Sequence, residues 1–486
     1  MFRVVLLASL GVAAACTAET RRAAQLPAAM EPCTIDTLGT VARCGVYEVW
    51  ENRSAKSGRR IPIRVVVIPA TDSNPAPDPI IPFLGGPGDG AASQASDFVQ
   101  RGGGRRDVVL VDMRGTGASN LLACPFTPPP ASGAVLDSLF PGWLIAPCRD
   151  TLSTRADLRQ YTTTNKIADL AEILDWLGYG AVNVSGGSYG TRTAAEFMRR
   201  HPERTRTAFL AGLMASDVRT LPLEMARSAQ TAIEEVFSMC EKAPDCQKAF
   251  PRVRSEFAAL VDRISKGPVP VTVAIDGKPA KALFGRIGFG YAVRGALYGE
   301  LAQWLPLLIH RAYTSNDFSW FASYWLVRGT WAWTEYPVGL YLSVVCTEDM
   351  GPASEDSVRR ATANTFLGDG LYRQYERACA DWPRGELPAS LHEPLHSNIP
   401  ALVISGTRDP VTPAAYGDRV AAGLSGGARI IFKNAGHGGG PRCERMLRLE
   451  LLERGSADGM ASGECAKTPG PFAFALSGDP PARLIQ

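Results

Sequence analysis

Gly186-Gly187-Ser188-Tyr189-Gly190 places a hydroxyl among small residues, directly after the β-branched run Val182 to Val184 and before a helical stretch, Thr191 to Arg200, that stops at Pro202. A strand, a tight turn and a helix in that order let a serine project its Oγ clear of a sheet, because only small neighbours tolerate so strained a turn. The chemistry such a serine does is attack on a carbonyl through a covalent acyl intermediate. The same G-x-S-x-G spacing recurs at Gly423-Leu424-Ser425-Gly426-Gly427. There it follows a helical stretch and precedes a strand, so it reads as a glycine-rich helix stop.

A serine nucleophile needs a base, and the chain offers five histidines: His201, His310, His392, His396 and His437. The apolar run Ala401 to Ile404 leads into Ser405-Gly406-Thr407-Arg408-Asp409-Pro410, and the run Arg429 to Phe432 leads into Asn434-Ala435-Gly436-His437-Gly438. With an elbow serine, the acid stands after a late strand and the histidine in the loop beyond the next one. Asp409 and His437 satisfy both conditions, at the edge of the sheet where Ser188 sits. His437 is therefore expected to take the Ser188 proton, and Asp409 to hold the imidazole tautomer and stabilise the imidazolium. The loop Gly85-Gly86-Pro87-Gly88, after the run Ile80 to Leu84, is expected to supply one oxyanion donor, the N–H of Gly86, beside the N–H of Tyr189.

Two other motifs suggest different chemistry. Gly86-Pro87-Gly88-Asp89-Gly90-Ala91 imitates a dinucleotide fingerprint, with Asp112 about where a ribose-binding acid belongs, but Pro87 removes an N–H that pyrophosphate would need. His392-Glu393-Pro394-Leu395-His396 matches the H-E-x-x-H zinc signature, yet Pro394 biases Glu393 away from the helix that would put both histidines on one face. The first reads as an oxyanion loop and the second as a linker. No metal and no organic cofactor is expected.

The elements that must position these residues fit a chain of 486 residues, a length that suits one large α/β domain carrying an insertion. Hydrophobic residues at 45% and charged residues at 20% exclude wholesale disorder and a multi-span membrane protein. A net charge of +3, with no basic run longer than Arg105-Arg106 or Arg199-Arg200, argues against nucleic acid as a partner. Short β-branched runs, Ile63 to Ile68 and Val108 to Val111 among them, alternate with helical stripes such as Ile167, Leu170, Ile173, Leu174 and Leu177, which opens after Asn165 and stops at Gly178. That alternation predicts a mostly parallel sheet flanked by helices. From about Met214 to His396 the strand signal fades, five of the nine tryptophans cluster between Trp304 and Trp333, and the strand pattern then resumes at Ala401. The expected organisation is a sheet domain over residues 19–213 and 398–486, interrupted by a largely helical cap over 214–397.

Met1-Phe2-Arg3, an apolar stretch from Val4 to Ala15 and then Cys16 read as a signal peptide over residues 1–18. Ala13-Ala14-Ala15-Cys16 also resembles a lipobox, with Ala13 where such boxes usually carry Leu. Both plain cleavage and lipidation of Cys16, with membrane attachment, stay open. Export to the periplasm or beyond is expected, and with it disulfides. Setting Cys16 aside, ten of the eleven cysteines fall into neighbours: Cys33 with Cys44, Cys124 with Cys148, Cys240 with Cys246, Cys346 with Cys379, and Cys443 with Cys465. Nearest-neighbour pairing is the expected connectivity, although spacing alone permits others. None has the paired C-x-x-C spacing of structural zinc.

Leu84-Gly85-Gly86-Pro87-Gly88, Asp112-Met113-Arg114-Gly115-Thr116-Gly117-Ala118-Ser119, Gly186 to Gly190 with Thr191-Arg192, Gly406-Thr407-Arg408-Asp409-Pro410-Val411-Thr412-Pro413 and Gly436-His437-Gly438 together resemble the proline iminopeptidase and tripeptidyl aminopeptidase family of α/β-hydrolases, nearly end to end along the mature chain. The Tyr189 to Arg192 run and the C-terminal block are most similar to its secreted tripeptidyl aminopeptidase branch. Leu84 stands where the family often has His, and Ala211-Gly212 where it often has Asp-Gly. The resemblance implies an α/β-hydrolase fold with an inserted cap, and release of short peptides or single residues from free peptide N-termini. It also implies that cap carboxylates recognise the substrate ammonium, for which Glu348 and Asp349, beside Cys346, are the candidates. The aromatic residues Trp320, Tyr324, Trp325, Trp331 and Trp333 fit either a substrate pocket or a cap core. The same triad would equally serve a carboxylesterase acting on a small ester, since fold does not fix substrate. An exported binding protein that keeps the scaffold without catalysis is the remaining alternative.

Overall fold

Along each inner strand, successive apolar side chains go to opposite faces of one sheet, as the two-residue period of a strand dictates. Val65 and Val67, Val109 and Val111, Ala208 and Leu210, and Ala401 and Val403 join one large core, which also takes in the cap. Val66, Ile68, Val108 and Leu110 pack with Ala91, Ala92, Ala95 and Phe98 on the other face. On that face, further across the sheet, Phe209, Ala211, Leu402, Ile404, Ile430 and Phe432 pack against Leu447 and Leu451. Both faces of the central strands are thus buried, which is why their sequences read as continuous apolar runs rather than alternating ones.

The computed structural model describes residues 26–484 apart from 37–38, 100–103, 125–134, 219–220, 276, 335, 439–440 and 468–471, and leaves the side chains of 329–334, 441–442, 465–466 and 483 undescribed. The expected signal peptide and Cys16 lie outside the described residues. Twelve strands are described: β1 (Glu31–Thr34), β2 (Val41–Trp50), β3 (Arg60–Ile68), β4 (Ile80–Phe83), β5 (Val108–Val111), β6 (Val135–Leu136), β7 (Val182–Gly187), β8 (Thr205–Ala211), β9 (Val269–Ile275), β10 (Lys278–Phe284), β11 (Ala401–Gly406) and β12 (Gly427–Phe432). Nine form one sheet in the order β1-β2-β3-β5-β4-β7-β8-β11-β12. From β5 to β12 every neighbour is parallel, while β1, β2 and β3 add an antiparallel edge.

Between β8 and β11 the chain leaves the sheet. This cap contains the helices Leu221–Lys242, Val253–Ser265, Arg286–Ala296, Leu305–Ser315, Ser319–Thr334, Val338–Glu348, Glu355–Thr362 and Gly370–Cys379. It also holds an antiparallel hairpin, β9 with β10, to which β6 adds in parallel. The sequence reading left this hairpin out, although Val269, Val271 and Val273 alternate with polar or small residues up to an Asp276-Gly277 turn pair.

Cys33–Cys44, Cys124–Cys148, Cys240–Cys246 and Cys346–Cys379 are bonded, which fits an extracellular, oxidising location. Cys443 is disulfide-bonded as well, and the side chain of its expected partner Cys465 is outside the described ones. Among the described residues, no helix is long and apolar enough to cross a membrane.

Candidate active site

Ser188 sits between the end of β7 and the helix Tyr189–Arg200 with φ +54° and ψ −125°, a conformation costly for any residue with a side chain. The surrounding packing holds it there. Its N–H donates to the Ala211 carbonyl at 3.0 Å, and its carbonyl accepts the Thr191 N–H at 2.9 Å and the Thr191 hydroxyl at 2.6 Å. The flanking glycines are a steric requirement: a Cβ on Gly190 would fall on the Phe83 carbonyl of β4, and one on Gly186 would lie 2.7 Å from the Gly190 oxygen.

Asp409 follows β11 and His437 follows β12, so parallel neighbours deliver both to the same edge of the sheet as Ser188. Nδ1 of His437 is 2.7 Å from Oδ2 of Asp409. The carboxylate is saturated on its other side: Oδ1 accepts the N–H groups of Val411 and Thr412 at 2.9 and 2.8 Å, and the Thr412 hydroxyl donates to Oδ2 at 2.8 Å. Complete burial pushes this carboxyl up, but the facing imidazole and these hydrogen bonds outweigh it and hold Asp409 below the ordinary carboxylate value. An ionised, oriented acid behind a ring nitrogen fixes which nitrogen is left to act as base.

Ser188, Tyr189, Gly85, Gly86 and His437 all line a cavity of about 390 Å³, roofed by the cap through Tyr291, Tyr298, Trp325, Tyr336 and Tyr341. The N–H of Tyr189 opens a twelve-residue helix, where the first amides have no partner inside the helix and the dipole favours negative charge. Gly85 and Gly86 approach from the loop after β4, and a Cβ on Gly85 would sit 3.4 Å from that of Ser188. Gly86 and Tyr189 thus line the same cavity as Ser188. The Tyr189 side chain points elsewhere, into a polar cluster where its hydroxyl is 2.6 Å from the Thr163 Oγ1.

The two expected ammonium acceptors separate. Glu348 is buried beneath the site, with Oε1 accepting the Thr163 N–H and Oε2 the Thr163 hydroxyl, both at 2.7 Å. Burial raises its carboxyl in spite of the nearby Arg192. Asp349 lines the cavity, but its Oδ1 is already 2.7 Å from the buried Arg192 guanidinium. Asp89, on the loop after Gly88, also lines the cavity, and burial alone pushes its carboxyl up. Sequence reading assigned Asp89 to the dinucleotide look-alike and gave no role to Arg294 or Tyr298, which also face this cavity. Of the expected aromatic set, Trp325 lines the cavity, Tyr324 and Trp320 stack with ring centroids 5.6 Å apart, and the side chains of Trp331 and Trp333 lie outside those described.

The look-alike motifs have local explanations. Asp112 is fully buried and accepts the Ser93 N–H and hydroxyl and the Ala118 N–H, tying two loops together. His392 ends a short 3₁₀ turn, Glu393 is extended, and the His392 Nδ1 is 2.8 Å from the Ser216 carbonyl, so the two histidines do not share a helix face. Ser425 lies between a helix and β12 and is held by its N–H to the Ser397 carbonyl at 2.9 Å.

Two family models match the chain, one described as alpha/beta hydrolase fold over residues 78–260 and one as TAP-like protein over residues 364–465. A curated proline iminopeptidase of Neisseria gonorrhoeae is 27% identical over 140 residues, and that match spans 29% of this chain and 34% of the relative's length. A proline iminopeptidase of Neisseria meningitidis gives the same figures. Among solved structures, proline iminopeptidase of Mycobacterium smegmatis aligns over 85% of this chain and 98% of its own, with a TM-score of 0.41 and 15% identity. A thermophilic esterase from Thermogutta terrifontis aligns over 85% and 99%, with a TM-score of 0.36 and 14% identity.

Proposed function

We propose that this chain, which resembles the proline iminopeptidases and TAP-like proteins among the α/β-hydrolases, is an exported serine aminopeptidase that forms an acyl-enzyme on Ser188. The observation that carries this reading is the Asp409–His437 pair, 2.7 Å apart, opening onto one capped cavity with a serine held at positive φ. His437 takes the Ser188 proton as the hydroxyl attacks the scissile carbonyl, and Asp409 stabilises the imidazolium that results. The backbone N–H groups of Gly86 and Tyr189 hold the developing oxyanion, each worth about 2.7–4 kcal/mol in sites of this kind. His437 then protonates the leaving amine, and returns as the base that activates water to release the acyl group.

A free amine in the substrate calls for a carboxylate near the nucleophile. Asp349 and Asp89 both face the cavity, and among the described residues Asp89 has no charged partner to compete with an ammonium group. Glu348 acts in this reading through the buried cluster that seats Asp349 and Arg192. Four disulfides support an exported site of action, and Cys16 remains the candidate for lipid attachment.

The deciding experiment compares three substrates on purified protein, with Ser188→Ala as control: an alanyl or prolyl anilide with a free amine, its N-acetylated twin, and a short acyl ester. Cleavage of the first and not the second supports the aminopeptidase. Turnover of the ester alone replaces it with a carboxylesterase, and silence on all three rejects both of these activities.

A further inference from the structure

Arg294, on the cap helix Arg286–Ala296, is 7% exposed and lines the cavity that holds Ser188 and His437. The chain buries several other arginines, and each is compensated. Arg114 is doubly bonded to Asp169 and also donates to the carbonyls of Trp50, Glu51 and Gln160. Arg192 is compensated in charge rather than by hydrogen bonds, with Asp349 at 2.7 Å and Glu348 at 3.6 Å. Arg408 donates to the carbonyls of Leu297, Gly299 and Asn434. Among the described residues, Arg294 has no carboxylate within ion-pair distance: its Nη2 donates to the Tyr298 hydroxyl at 3.0 Å, and its buried Nε has no partner. Its other neighbours are the phenols of Tyr291, Tyr341 and Tyr375. Burial raises the phenols of Tyr298, Tyr341 and Tyr375 above the ordinary value, so they bring no negative charge.

A guanidinium cannot shed its proton to escape such a place. Buried charge without a counter-charge is expensive, and a guanidinium that lines a cavity with no carboxylate of its own is where a ligand's carboxylate goes. The planar fork of an arginine matches a carboxylate better than any neutral group.

We propose that Arg294 binds a carboxylate of the substrate, so that this site selects ligands carrying an acidic group into the cap. The inference deepens the aminopeptidase reading and rests on it. Either the C-terminus of a short peptide or an acidic side chain could supply that group, and the chemistry at Arg294 is the same. With Arg294 in the cap and Asp89 on the loop beside the nucleophile, the cavity carries unpaired charges of opposite sign, the pattern a zwitterionic short peptide complements.

The test measures binding of trialanine, trialanine amide and Ala-Glu-Ala amide to the Ser188→Ala protein by calorimetry. A carboxylate ligand should bind about tenfold or more tighter than trialanine amide, as expected for charge-assisted hydrogen bonds. Tight binding of trialanine assigns the C-terminus as the source, and tight binding of Ala-Glu-Ala amide assigns the side chain. Adding Arg294→Gln should abolish the discrimination. Should that variant not fold, Arg294→Lys, which keeps the charge and loses the fork, should weaken the discrimination several-fold. Equal affinity for all three ligands, no binding of any, or discrimination that survives both substitutions overturns the proposal. Labelling of the wild-type Ser188 by a fluorophosphonate, which needs no carboxylate, reports separately on the hydrolase reading. Labelling without discrimination sinks only the role of Arg294, and absence of labelling sinks the aminopeptidase.

Discussion

The backbone N–H of His437 donates to the carbonyl of Tyr298 at 2.9 Å, and the two rings meet edge to face with centroids 5.2 Å apart. Tyr298 belongs to the cap and His437 to the loop after β12, so the proposed base is seated partly by the insertion that roofs the cavity. Gly436 allows the approach, since a Cβ there would collide with the same Tyr298 carbonyl. Arg408 reinforces it by reaching from beside Asp409 to the carbonyls of Leu297 and Gly299 at 3.1 and 3.2 Å.

That coupling predicts that Arg408→Met damages catalysis from a distance. It strands the carbonyls of Leu297 and Asn434, while that of Gly299 keeps the Ala302 N–H, and leaving a buried polar group without a partner costs about 1–3 kcal/mol each. The unfolding midpoint should fall by several degrees, and kcat should drop more than KM rises because the His437 loop loses its brace. Unchanged kcat in a folded variant would show that the cap does not seat the base.

Asp409→Asn should leave the fold intact, because the amide oxygen can still accept the Val411 and Thr412 N–H groups. The side-chain nitrogen would face the imidazole with a donor where His437 also needs to donate, selecting the wrong tautomer. A fall in kcat of about 10⁴ is the comparable effect. Stopped-assay rates on the free-amine anilide measure it, and a loss under tenfold would remove Asp409 from the proposed triad.

At position 188, glycine should be more stable than alanine. Both remove the hydroxyl, but only glycine adopts φ +54°, ψ −125° without steric cost, and a strained residue of this type costs about 1–3 kcal/mol. Denaturant midpoints of Ser188→Gly and Ser188→Ala compare the two directly. If alanine is as stable as glycine, the elbow is not strained.

Lys166 is fully buried, and desolvation pushes its ammonium below the ordinary lysine value against the pull of Glu348. A depressed lysine binds fewer protons folded than unfolded across the interval between its lowered pKa and about 10.4, so stability attributable to it rises with pH there and is absent below. The stability of wild type relative to Lys166→Met should therefore improve as pH rises from neutrality towards 10. A difference that stays flat over that range would mean Lys166 titrates normally.

Much of the sheet was legible because its signals are local. The runs at Val108 to Val111 and Ala401 to Ile404 became β5 and the body of β11, and the stripe from Ile167 to Leu177 became the helix Thr163–Leu177, capped by Thr162 and ended by Gly178 in the left-handed conformation. Ser188, Asp409 and His437 were legible for a related reason. Each sits in a turn at the end of a strand, where glycine, proline and small residues record what the backbone must do. The cap hairpin β9–β10 was also written in the sequence, but the helical stretches on either side, Val253–Ser265 and Arg286–Ala296, masked the alternation. What the chain could not reveal is which charges are already spent. Glu348 is hydrogen-bonded by Thr163, 185 residues away, and Asp349 is paired in charge with Arg192, whereas Arg294 lines the cavity with no carboxylate beside it among the described residues. Residue type fixes the charge, but whether a charge meets its counter-charge or waits for a ligand depends on which distant segments fold against it.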